Sequence, residues 1–455
     1  MKKDVFWGYL SQFLQYGAAL LVLPLLLRKL SSAELGVWYV FMTISALVSM
    51  LDMGLTPTLS RNVSYALSGV KRLQKNGFEV VAQADSVDYG MLRAMISASR
   101  RIFFWISVIA LILLALPGSV YILRVAEDQI EPHRVLYAWA IFVLASVINL
   151  FYKCYTPLLQ GSGKFTEFYK SNAVANLGFV VVSAVLLQAN LGLLAVALGY
   201  LASALLGRWL SWRYFYDESF KAHLDRAPTA AVGKVEVLGV LWHNAWRLGL
   251  CVIGAFFILR ANTLLASVYL GLATTAAYAL TLQVFAVVQS VSTVVFNIQL
   301  PKLARYRVTD QHQLFRQTME QGLGKSLGLF TMGTLLLVWL GAPLIQAIGG
   351  KTQLLPVPLL AWVGLMTLLE LSHSLAAGVI TTGNQVPFVK PALLSGLAVV
   401  LSSWVGLHYG GYSLVWLIGS QFAVQLAYNN WKWPWMIYKE FYSVKNSTCH
   451  VAPRG

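Results

Sequence analysis

The sequence predicts an all-α polytopic membrane protein. About twelve transmembrane helices are expected, in two six-helix pseudo-symmetric halves, with both termini in the cytoplasm. Three observations predict this fold class. First, the 455 residues are 58% hydrophobic and only 11% charged, with a mean hydropathy of +0.65, whereas roughly a quarter of a soluble domain is charged. Second, the apolar residues come in runs of about 20, the length that carries a helix across about 30 Å of hydrocarbon. Third, Lys and Arg are sorted between alternate loops.

The predicted spans are, in chain order, 5–27, 36–58, 102–123, 135–158, 171–188, 191–212, 244–268, 275–298, 326–348, 355–380, 388–408 and 411–431. Met1-Lys2-Lys3 resembles the charged start of a signal peptide. The apolar run behind it, Val5 to Leu27, exceeds the roughly 7–15 residues of a signal h-region, so it reads as the first span. A polar connector over 213–240 divides the N-terminal half, 1–212, from the C-terminal half, 241–431, and a tail covers 432–455. The longest expected loop outside the membrane is 61–101. The three cysteines, Cys154, Cys251 and Cys449, are scattered and show no disulfide frame or metal spacing.

Orientation follows from the excess of Lys and Arg that cytoplasmic loops hold. With the N-terminus inside, 28 of these residues face the cytoplasm and five face outward: Arg28, Lys29, Arg124, Arg134 and Lys351. Arg260 is the one clearly embedded cation, Lys153 lies near a cytoplasmic end, and Arg208 counts with the connector. The net charge of +16 is then mostly this inside bias, and no nucleic-acid partner is expected. Basic loops also attract anionic lipids. Trp431, Trp433 and Trp435 around Lys432 read as an interfacial belt.

The stretch GSGKFTEFYKS at 161–171 looks at first like a phosphate loop. The full pattern requires a glycine five residues before Gly163 and Ser or Thr after Lys164. Leu158 and Phe165 stand there instead. A better match is internal. TTGNQVPFVKP at 381–391 aligns Gly163 with Gly383, Phe168 with Phe388 and Lys170 with Lys390. A second pair is LSSAELGVWY at 30–39 with LATTAAYAL at 272–280. Both pairs fit two parallel repeats, an architecture in which transporters bind substrate at the repeat interface.

Two segments carry a family resemblance. LDMGLTPTLSRNVS at 51–64 and LLQGSGKFTEFYKSNAVANLG at 158–178 resemble, respectively, the end of the second span and the fourth-to-fifth turn of bacterial polysaccharide-export proteins. The chain is similar to the O-antigen flippases of the multidrug, oligosaccharidyl-lipid and polysaccharide exporter superfamily. This resemblance implies movement of an undecaprenyl-pyrophosphate-linked oligosaccharide across the bacterial inner membrane by alternating access. It implies polysaccharide polymerase and chain-length proteins as partners and no cofactor. It carries over no individual site residue.

The residues themselves supply the site candidates. Ionisable groups within a bilayer are costly and mark pathways. Only Asp52 and Glu370 among the acids fall inside predicted spans. Polar stripes run along Ser146, Asn149, Lys153, Thr156 and Gln160; along Gln289, Thr293 and Asn297; along Thr367, Glu370, Ser374 and Thr381; and along Gln421, Gln425 and Tyr428. Such stripes either bond helices together or line a shared polar cavity. On the second reading Arg260, Lys153, Asn149, Gln289 and Asn297 bind substrate. Arg suits a pyrophosphate because its fork fits phosphate. Glu370 with His373, and Asp52, are the candidates for coupling to a proton or sodium ion. A multidrug cation antiporter remains the alternative, since it needs a buried carboxylate. No catalytic or metal-binding constellation is expected, and the short outer loops disfavour a polysaccharide polymerase or ligase.

Overall fold

The computed structural model describes residues 7, 17, 21–67, 87, 89–217, 220–222, 224, 234–309, 311–383 and 387–442. Most of the first predicted span, most of the connector, and Cys449 lie outside the described residues. The described residues are helical, without strands. Among the described residues, ten helices are long and apolar enough to cross a membrane. Contacts divide the chain into two compact units, Met1–Ala277 with Ile345–Gln353, and Tyr278–Leu344 with Leu354–Gly455. The expected halves follow an internal repeat instead, and they stay a proposal.

In the first unit, α1 (residues 21–29) leads into α2, Ser32–Ser49. Ser31 caps α2 by accepting from the Glu34 amide at 3.1 Å, while Glu34 accepts from the Ser31 amide at 2.9 Å. This reciprocal box satisfies amides that the first turn leaves free. The second predicted span is not one straight helix. After a 3-10 turn at Met50–Asp52, Met53 and Gly54 take φ of 46° and 74°, a left-handed conformation that costs a non-glycine residue energy. The chain then restarts as α3, Leu55–Leu67.

The expected loop 61–101 is largely helical where described. Its first part belongs to α3 and its last part to α4, Tyr89–Leu113. A π-helical turn at Leu114–Gly118, containing Pro117, joins α4 to α5, Ser119–Ala126. Proline lacks the donor needed for the regular ladder, which places the irregular turn here. The charged loop after α5 is local in character: Arg134 pairs with Glu131 at 2.7 Å, and both are exposed.

α6 (Pro132–Phe151) and α7 (Tyr155–Gly161) form one continuous path through a 3-10 turn at Tyr152–Cys154. α8, Phe165–Gln188, and α9, Leu193–Phe215, pack along their length. Gly178, Gly199 and Gly207 face Leu206, Ser183 and Ala175 across that seam. Small residues allow backbones to approach where lipid removes the hydrophobic drive for association. Phe41, Trp139, Phe142 and Tyr200 stack between α2, α6 and α9, with centroids 4.9–5.5 Å apart along the chain of rings. α10 (Lys234–Leu259) and α11 (Ala261–Tyr269) complete the unit's helices, with the start of α12, Gly271–Asn297.

The second unit holds most of α12, then α13 (Leu300–Val308), α14 (His312–Ile348), α15 (Val357–Thr381) and α16 (Val389–Tyr409). The twelfth predicted span is interrupted. α17, Leu414–Ala427, stops at Tyr428, whose φ of −142° leaves the helical range, and α18 runs Asn429–Tyr442. Arg307 braces one end of the unit: it donates to the Val379 carbonyl at 3.1 Å and the Thr382 hydroxyl at 3.0 Å, and it pairs with Glu440.

The two turns matched by the internal repeat share a feature. The Gly163 amide donates to the Gln160 carbonyl at 3.1 Å, and the Gly383 amide to the Ile380 carbonyl at 3.0 Å. They also differ. Gly163 needs its left-handed φ of 72° and faces open space. A Cβ on Gly383 would instead press on the Arg307 guanidinium at 2.9 Å. Lys164 does not hold a phosphate loop. It pairs with Asp217 at 2.6 Å and donates to the Tyr214 carbonyl at 3.2 Å, fastening the start of α8 to the end of α9.

Candidate functional site

The helix break in the LDMG stretch sets the position of Asp52. One carboxylate oxygen accepts from the Thr56 amide at 3.1 Å and the other from the Thr56 hydroxyl at 2.6 Å, so Asp52 caps the restarted helix. The second oxygen also meets Lys153 Nζ at 3.0 Å, with the side chains only 10% and 23% exposed. The structure thus joins a predicted coupling acid and a predicted substrate-binding cation in one ion pair. Their charges cancel within the first unit, and neither is free in this arrangement.

Asn149 and Thr156 share the stripe of Lys153 but serve another helix. Arg208, on α9, donates from Nε to Asn149 Oδ1 at 2.6 Å and from Nη1 to Thr156 Oγ1 at 2.8 Å. Counting basic residues by loop assigns Arg208 to the cytoplasmic connector. It lies instead within the candidate span Leu193–Phe215, before the aromatic residues Trp209, Trp212, Tyr214, Phe215 and Tyr216. Those rings mark the membrane edge, and an arginine preceding them is the signal that could have found it. Both of its described partners are neutral, so no described carboxylate cancels its charge.

Arg260 stands at a second helix break. Its φ of −127° separates α10 from α11. Beyond the break, Ala261, Asn262 and Thr263 are buried, and Tyr121 anchors the helix by donating to the Leu264 carbonyl at 3.1 Å and meeting the Ser267 hydroxyl at 2.7 Å. Leu259 and Arg260 before it are exposed. Arg260 thus stands exposed at the break, next to the buried first turn of α11. Within the candidate span Gly249–Tyr269 it lies about 14 Å before the Tyr269 end, at 1.5 Å per residue, with α10 running back from it to Lys234. Its side chain has no ion pair or hydrogen bond among the described residues.

In the second unit Glu370 Oε2 lies 3.3 Å from His373 Nδ1, with the side chains 10% and 20% exposed. Oε1 of Glu370 has no hydrogen-bond partner among the described residues. Gln289 is half-buried and Asn297 exposed at the end of α12. The stripe on α17 is helix glue rather than lining: Gln421 and Gln425 are 3% and 0% exposed, and Asn429 donates to Gln425 Oε1 and Ser395 Oγ, both at 2.9 Å.

No family model matches the chain, and no curated protein matches it significantly. Solved structures do match. One is the inward-facing conformation of a multidrug resistance MATE family transporter of the MOP superfamily, with a TM-score of 0.66 at 10% identity, covering 96% of each chain. A second is the MATE multidrug transporter DinF-BH in complex with a bound compound, at 0.63 and 12% identity, covering 98% of this chain and 97% of that one. A third is the lipid II flippase MurJ in an inward closed conformation, at 0.62 and 11% identity, covering 96% of this chain and 88% of that one. Over nearly its whole length, then, the chain has the fold of the MOP superfamily transporters.

Proposed function

We propose that this protein is a flippase or exporter that moves an undecaprenyl-pyrophosphate-linked oligosaccharide across the bacterial inner membrane by alternating access. One observation carries the reading: Arg260, an exposed guanidinium inside a candidate span, without a described acid to neutralise it. An unpaired cation within a span is costly and calls for an anionic ligand. A pyrophosphate answers that need, and the planar fork of arginine suits it. Asp52 and Glu370 are the only buried acids among the described residues, and Lys153 already neutralises Asp52. Cation export through the first unit would therefore begin from a surplus of positive charge. Glu370, with one oxygen unpartnered, is the observation that favours the multidrug alternative, and it equally suits ion coupling.

The test is a gene deletion complemented with Arg260 variants, with surface polysaccharide and the lipid-linked precursor both measured. Loss of surface polysaccharide with the precursor still made inside is the expected result. Arg260→Lys restores it partly and Arg260→Ala not at all, at equal membrane abundance. Loss of the precursor itself would place the protein in synthesis, and full rescue by Arg260→Ala would remove Arg260 from the pathway. Extrusion of the compound bound in the DinF-BH structure, with polysaccharide unchanged, would transfer the reading to the multidrug alternative.

A further inference from the structure

A cavity of about 390 Å³ opens in the first unit beside α4, α6 and α9, apart from Arg260. Two guanidinium groups line it, Arg100 and Arg208, and no carboxylate does. Four rings, Tyr152, Tyr155, Trp209 and Trp212, form much of the remaining wall. We infer that this cavity binds the phosphate of an anionic membrane lipid, with Arg100 and Arg208 as the phosphate-holding groups and the rings as the seat of the glycerol and upper acyl chains.

Four features support this. Arg208 is pre-set: Asn149 and Thr156 hold its Nε and Nη1, leaving Nη2 without a hydrogen-bond partner among the described residues. An arginine fixed in this way loses little rotamer freedom when it binds. Arg100 is exposed and lies beside the Tyr216 hydroxyl, so it supplies a second donor fork from the neighbouring helix. Trp209 and Trp212 are 57% and 41% exposed, and such amphipathic rings settle at the headgroup level. Finally, the volume falls within the roughly 300–1,000 Å³ of small-molecule sites. Lys164 is not available to the site, since Asp217 holds it at 2.6 Å.

This lipid site is independent of the transport reading. A resident phospholipid and the polyprenyl phosphate of a carrier lipid present the same phosphate chemistry, and the experiment separates them. The full-length protein is purified in a neutral detergent and studied by native mass spectrometry with added phosphatidylglycerol, phosphatidylcholine, undecaprenyl phosphate or inorganic phosphate. Wild type should retain phosphatidylglycerol over phosphatidylcholine. Arg100→Gln, a substitution of an exposed side chain, should reduce that preference about tenfold, or about 1.4 kcal/mol. Arg208→Lys, which keeps the charge but not the held fork, should reduce it about as much. Retention of undecaprenyl phosphate alone, with the same dependence on Arg100, would assign the site to the carrier lipid. Binding of inorganic phosphate alone would assign it to a free anion and overturn the lipid assignment. Equal phosphatidylglycerol retention by wild type and Arg100→Gln would overturn the site itself.

Discussion

The Asp52–Lys153 pair allows a quantitative test of the first unit. Substituting Asp52→Asn leaves the Lys153 ammonium without its 3.0 Å partner, and Lys153→Met leaves the carboxylate with only Thr56. Removing one member of a buried pair costs about 3–5 kcal/mol. Lys153 is 23% exposed and can relax towards water, which lowers the expected cost to about 2 kcal/mol. At about 1.4 kcal/mol per decade this is close to a 30-fold rise in local opening. Cys154 adjoins Lys153 and is 2% exposed, so its modification reports that opening. In a Cys251→Ser/Cys449→Ser background, each single substitution should speed maleimide labelling of Cys154 about 30-fold. The double substitution Asp52→Asn/Lys153→Met removes both charges and should return the rate to within about fivefold of wild type, since replacing a whole pair is often near neutral. If the double substitution labels at the product of the two single effects, the groups are not coupled and the pairing argument fails.

Two further predictions concern other parts of the chain. Glu370→Gln keeps the shape next to His373 but removes the charge; if Glu370 carries the coupling ion, transport in vesicles should lose its dependence on the proton or sodium gradient, and an unchanged dependence would leave Glu370 a static partner of His373. Gly199→Val should lower the yield of folded protein strongly, measured by size-exclusion profile, because a Cβ there meets the Ser183 side chain and overpacking costs about 1–3 kcal/mol; an unaffected profile would mean that α8 and α9 can separate freely.

Much of the helical framework was legible because hydropathy fixes which segments suit the bilayer, and bilayer thickness fixes their length. Breaks within the helices were not. Periodicity does not register a restart such as Met53–Gly54, where two left-handed residues reset the helix and Asp52 caps the new segment. The interruption at Tyr428 falls on an aromatic residue, with neither proline nor glycine beside it to mark the break. The extent of the loop 61–101 was hidden for a different reason. Its basic residues count against membrane insertion, yet α4 carries Arg93, Arg100 and Arg101 on the same helix that continues into apolar sequence.

The stripe on α6 and α7 shows what periodicity can and cannot decide about a site. Spacing placed Asn149, Lys153 and Thr156 on one face, and in the structure all three do reach polar partners on neighbouring segments. Yet their partners have opposite consequences for charge. Lys153 meets a carboxylate and is neutralised; Asn149 and Thr156 meet Arg208 with neutral oxygens and leave its charge standing. A polar face is thus a statement about geometry, while the sign of the ligand it favours depends on which residue faces it from another helix. In the first unit Arg208 and Arg260, both within candidate spans, have no described acid against them. A low-dielectric setting magnifies an uncompensated charge. Anions should therefore be preferred at both places, and the two are separable by mutation because Arg208 is held by its neighbours and Arg260 by none among the described residues.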